Sequence, residues 1–98
     1  MITHAQLDAF AAAIVKDYDA FSADSPIKRV CTVTFEEGKK YIRVVRSTGE
    51  YDRSVQSFIE IETGNIWKAA SWKVPAKNKP RGHIDNLTPN VVVWTGAR

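Results

Sequence analysis

A chain of 98 residues with 44% hydrophobic and 26% charged side chains has the composition of a folded domain, with enough apolar residues for one core and too few for two. That excludes a disordered tail and predicts a single α+β domain spanning residues 1–98. The net charge of +3 is unevenly placed: Thr63 to Ile84 holds no acidic residue but five basic ones, which leaves the remainder of the chain at −2.

The first predicted element is an amphipathic helix at about residues 4–22, because Leu7, Phe10, Ile14, Tyr18 and Phe21 recur at helical spacing. Thr3 and Gln6 form a capping-box pair, and Ile2 can pack on Leu7 as a hydrophobic staple. Ser25-Pro26 stops the helix, since the residue before a proline is driven out of the helical region.

After Pro26 the apolar period falls to two, which predicts an antiparallel sheet of about four strands over residues 28–72. Cys31, Val33 and Phe35 share one face of the first strand. A turn at Glu36-Glu37-Gly38-Lys39 leads to Lys40–Arg46, with Ile42 and Val44 inward and Tyr41, Arg43 and Val45 outward. A turn around Gly49 leads to Arg53–Glu62, with Val55, Ser57, Ile59 and Ile61 on one face. Thr63-Gly64-Asn65 then leads to a fourth strand, Ile66–Trp72, and completes a meander that the helix covers. Pro75, Pro80 and Gly82 break the pattern, so residues 73–98 read as a long basic loop or arm. Within it Val91-Val92-Val93-Trp94 either adds an edge strand or packs as a plug.

The start of the chain lacks the basic and apolar regions of a signal peptide, and no stretch is long and apolar enough for a membrane span. With Cys31 as the sole cysteine there is no internal disulfide, and a cytoplasmic location without membrane contact is expected. Cys31 reads as a small buried residue rather than a nucleophile. His4 and His83 are far apart in the sequence and match no metal-ligand spacing, so no metal, cofactor or catalytic constellation is expected and the protein is read as a non-enzyme. Glu36-Glu37 reads as a solvated turn, and Glu60 and Glu62 as the outer face of a strand.

What remains is the basic segment. Lys68, Lys73, Lys77, Lys79 and Arg81 suit phosphate contacts, and Trp72 offers a stacking ring, a combination matched to unpaired rather than duplex nucleic acid. Tyr41, Arg43 and Arg53 form a second patch on the sheet face away from the helix. Against this, Trp67 and Trp72 lie five apart, and in a regular strand they face opposite sides, which makes at least one of them a core or loop-anchoring residue.

The run Gly64 to Gly82, with Lys68-Ala69-Ala70-Ser71-Trp72-Lys73 and Pro75-Ala76-Lys77 as its most specific part, resembles a family of small uncharacterised proteins of tailed bacteriophages. Lys40–Arg43 and Arg53–Ile59 share the resemblance, whereas the helix and the Val91–Trp94 tail fall outside it. The resemblance implies a phage origin and the cytoplasm of an infected bacterium, and it carries over no functional residue. The expected function is nucleic-acid binding through the basic segment. The competing expectation is an accessory protein that binds and inhibits or redirects a host protein. A particle component that self-associates as a homo-oligomer is a third.

Overall fold

The computed structural model describes residues 2–26, 29–49 and 52–98. One helix, α1 (His4–Ser22), packs on a five-stranded antiparallel sheet made of β1 (Cys31–Glu37), β2 (Tyr41–Thr48), β3 (Arg53–Glu60), β4 (Asn65–Trp67) and β5 (Gly82–His83). The strands lie in the sheet in chain order.

The helix begins as its sequence requires. Gln6 N–H donates to Thr3 Oγ1 at 3.1 Å and Thr3 N–H donates to Gln6 Oε1 at 2.7 Å, closing a capping box that satisfies two donors otherwise unpaired at a helix start. Its buried stripe is Phe10, Ile14, Tyr18 and Ser22. Phe21, expected on that stripe, is 70% exposed. The stripe runs at a spacing of four, which carries it to Ser22 and leaves Phe21 at the margin, with its ring centroid 4.9 Å from that of Trp94.

Phe10 and Ile14 meet Ile42, Val44, Ile59, Ile66, Ile84, Val91 and Ala97 in one core cluster. Val33 and Phe35 pack against its edge, so β1 and β2 keep the alternation read from the sequence. β3 does not. Val44 pairs with Ser57 but Val45 pairs with Val55, so Gln56 is an extra residue in a bulge. The bulge puts Val55 on the outer face, opposite to the face expected for it. It also directs the Gln56 side chain toward the C-terminal segment, where Nε2 donates to the carbonyls of Val91 at 2.7 Å and Val93 at 2.9 Å.

The fourth strand is shorter than expected, ending at Trp67 instead of Trp72. Beyond it the chain doubles back: Ala69 bridges Pro75, and the N–H groups of Ala70 and Ser71 both turn to the carbonyl of Val74. The free edge of β4 is taken by a later piece of chain, with Arg81 N–H donating to Ile66 O at 2.7 Å and Gly82–His83 forming β5. This is possible because Gly64 adopts a left-handed φ of +80°, in a position where a Cβ would stand 2.8 Å from His83 Nε2.

Val91–Trp94 forms no strand. It is the plug: Val91 and Ala97 are buried in the core cluster, Ala97 N–H donates to Gln56 O at 2.9 Å, and Trp94 N–H donates to Asp17 Oδ2 at 2.9 Å.

Candidate nucleic-acid interface

Antiparallel pairing places Arg43 beside Phe58, and Phe58 beside Trp67, on the face of the sheet away from the helix. Val45 (1% exposed) and Phe58 (3%) belong to that outer face and not to the core cluster, yet both are buried. Among the residues over that face are Trp72, Lys73 and Lys77 of the arm, residues 68–81, which folds back across it.

The two patches expected separately from the sequence are therefore one. Arg43 Nε donates to the Trp72 carbonyl at 2.8 Å, and the guanidinium groups of Arg43 and Arg53 lie 5.2 and 5.4 Å from the centroid of the Trp72 ring. Glu36 holds both arginines, with Oε1 2.7 Å from Arg43 and Oε2 3.6 Å from Arg53. Register explains this carboxylate, since Glu36 is paired across the ladder with Arg43. Expected as a solvated turn residue, Glu36 is instead the clasp that fixes two guanidinium groups against the indole. Trp72 remains 40% exposed.

Tyr41 is the second aromatic of the face. The ammonium groups of Lys77 and Lys40 lie 5.2 and 5.7 Å from its ring centroid, and Phe58 stands edge-on to it at 6.2 Å. Hydrogen bonding to Tyr41, then its charge, holds the Lys77 ammonium above the ordinary lysine range. A cleft of about 250 Å³ opens between the β1–β2 turn and the arm, lined by Tyr41, Arg43, Phe58, Lys39, Lys40 and Lys73, with Glu36, Glu37 and Gly38 at the turn.

Of the expected contacts, Trp72, Lys73, Lys77, Tyr41, Arg43 and Arg53 are thus brought together. Lys68 and Lys79 are exposed on the arm outside the cleft lining. Arg81 differs from a free cation: it is half-buried, its Nη2 donates to Asn78 Oδ1 at 3.2 Å, and its backbone ties the arm to β4. Lys39 and Lys40 were not expected in the site. The signal for them was the hairpin register around Gly38, which fixes what the turn faces. Trp67 and Trp72 also share one face despite their spacing, because the strand ends between them. Trp67 pairs with Phe58 in the ladder, its Nε1 donating to Glu60 Oε1 at 3.2 Å.

Elsewhere, burial pushes the Cys31 thiol up, which disfavours the reactive thiolate. Among the described residues there is no group of three or more His, Cys, Asp or Glu side chains placed to hold a metal ion, and no helix long and apolar enough to cross a membrane.

With this geometry established, comparison with known families gives one match, to the model of a family of unknown function, DUF7717, over residues 3–93. The chain belongs to DUF7717. The match takes in α1, the whole sheet, the arm and the plug as far as Val93, so the helix and most of the tail belong to the family unit along with the middle of the chain. No curated protein and no solved structure matches this DUF7717 chain significantly.

Proposed function

We propose that this DUF7717 protein is a non-enzymatic module that binds single-stranded nucleic acid across the outer face of its sheet. The observation that carries the reading is the convergence on that face of Trp72, clamped by Arg43 and Arg53, with Tyr41 and the ammonium groups of Lys40, Lys73 and Lys77. A stacked ring and flanking cations are what an unpaired base and its phosphate require, and stacking on an aromatic side chain contributes about 1–3 kcal/mol per base. Lys68 and Lys79 extend the positive surface along the arm. Arg43 and Arg53 act chiefly through Trp72, because Glu36 already neutralises much of their charge.

The resemblance of Gly64–Gly82 to small tailed-phage proteins supports a phage origin and action in the cytoplasm of the infected cell. Titration with fluorescent DNA and RNA oligonucleotides over a salt series tests the function. Binding that weakens linearly in log–log form as salt rises is expected. No binding at low salt overturns the reading.

A second reading, docking to a host protein, is favoured by the exposed ring of Phe21 against Trp94 on the helix side of the molecule. Pull-down from nuclease-treated host lysate separates the two. A stable protein partner that survives nuclease favours docking, and loss of all partners favours nucleic acid.

A further inference from the structure

The cleft beside Tyr41 has a composition that the surrounding positive surface does not by itself explain. Of its charged residues, Glu36 is engaged by Arg43 and Arg53. Lys39, Lys40 and Lys73 then face only Glu37, so the cleft keeps a net positive charge. One wall is the Tyr41 ring, backed edge-on by Phe58 at 6.2 Å. At about 250 Å³ it falls just below the roughly 300–1,000 Å³ usual for sites that enclose a whole small molecule. That volume suits one unit of a longer strand.

Resting on the nucleic-acid reading, we infer that this cleft is a discrete subsite for one unpaired nucleotide, with the base stacked on Tyr41 and the adjoining phosphate held by Lys39, Lys40 and Lys73. Lys40 and Lys77 lie over the Tyr41 ring in the free protein. An exposed cation–π contact is worth about 0.5–1 kcal/mol, less than the roughly 1–3 kcal/mol of a stacked base. An entering base therefore displaces the Lys40 ammonium from the ring and releases it toward phosphate. Arg43 lines the cleft and also lies over Trp72, so the subsite adjoins the Trp72 ring and the two aromatics take neighbouring nucleotides of one strand.

The test compares oligonucleotide binding of the wild type, the double variant Lys39→Gln/Lys40→Gln and a Lys16→Gln control on the helix side, each over a salt series. Loss of that one phosphate contact lowers the steepness of log K against log salt by about 0.7 for a single strand. The subsite predicts that decrease for the double variant and none for the control. A wild type that binds while the double variant keeps the same affinity and slope overturns the subsite and leaves the broader function standing. A wild type that binds no oligonucleotide overturns both. Photocross-linking with 5-iodouracil oligonucleotides and peptide mapping gives an independent measure on the unmutated protein. Attachment at Tyr41 is expected, and attachment confined to residues outside the cleft overturns the assignment.

Discussion

Arg46 donates from Nε to the main-chain carbonyl of Trp94 at 3.0 Å, while its guanidinium lies 5.0 Å from the centroid of the same residue's ring. A buried charge thus serves as the peg on which the C-terminal segment hangs. Its remaining donors reach Thr48, Asp52 and Ser54, so the guanidinium is well satisfied at the end of the sheet. Because Trp94 also packs on Tyr18 at 5.0 Å, the peg couples β2, the tail and α1.

Replacing Arg46 with Met removes that peg and leaves several acceptors without their donor. A loss of about 3 kcal/mol is expected in urea unfolding, since breaking a buried charged network is among the costliest single changes. Arg46→Lys should recover only part of it, because an ammonium cannot reproduce the fork. A change below about 0.5 kcal/mol in Arg46→Met would show that the tail is held by other contacts.

The pH dependence has a definite sign. Asp52 is held below the ordinary carboxylate range, first by the hydroxyl of Thr48 and also by Arg46. A carboxylate whose pKa is depressed on folding adds stability above its unfolded value of about 3.9, and that stability is lost as pH falls through the lower folded value. Acid unfolding of the wild type should therefore steepen below about pH 4, and Asp52→Asn should flatten that part of the curve. An identical acid profile for the two proteins contradicts the account.

Trp72→Ala should weaken oligonucleotide binding by about 1–3 kcal/mol, with Trp72→Phe intermediate. Glu36→Gln tests the clasp by freeing Arg43 and Arg53 from their shared carboxylate. It should broaden the Trp72 indole signal in two-dimensional NMR while circular dichroism is unchanged. A Trp72 resonance as sharp as in the wild type would mean that Glu36 does not position the ring.

Gly82 is required for close approach, as a Cβ there would lie 2.5 Å from Val91 Cγ1 in the buried plug. Gly82→Ala should cost about 1–3 kcal/mol by overpacking, read as a lower denaturation midpoint. Pairing it with Val91→Ala should return part of that loss, because the second change opens the space the first requires. Additive losses in the double variant would place the strain elsewhere.

Much of the fold was legible in the sequence for local reasons. The capping pair at Thr3 and Gln6 and the two-residue alternation through Cys31–Phe35 and Tyr41–Val45 act over a few residues, and the structure keeps them. The helix stripe drifted by one position at its end, from Phe21 to Ser22, because its spacing of four carries the buried face past Phe21.

Three features were decided only by tertiary structure. The bulge at Gln56 reverses the facing of Val55, and its side-chain Nε2 donates to carbonyls more than thirty residues away in sequence. β4 ends at Trp67 where the chain doubles back through the Ala69–Pro75 bridge, and its edge is taken by Arg81–His83, a pairing between distant segments that no local period records. The candidate site follows from that early end, since the returning arm sets Trp72 on Arg43 and Arg53 and carries Lys73 and Lys77 over Tyr41. The sequence alone determined which residues carry charge and aromatic surface, because composition and short-range period are local properties. Only the chain reversal after Trp67 decided that they share one face, because contacts between distant segments are fixed by competition for the same sheet edge and the same buried surface.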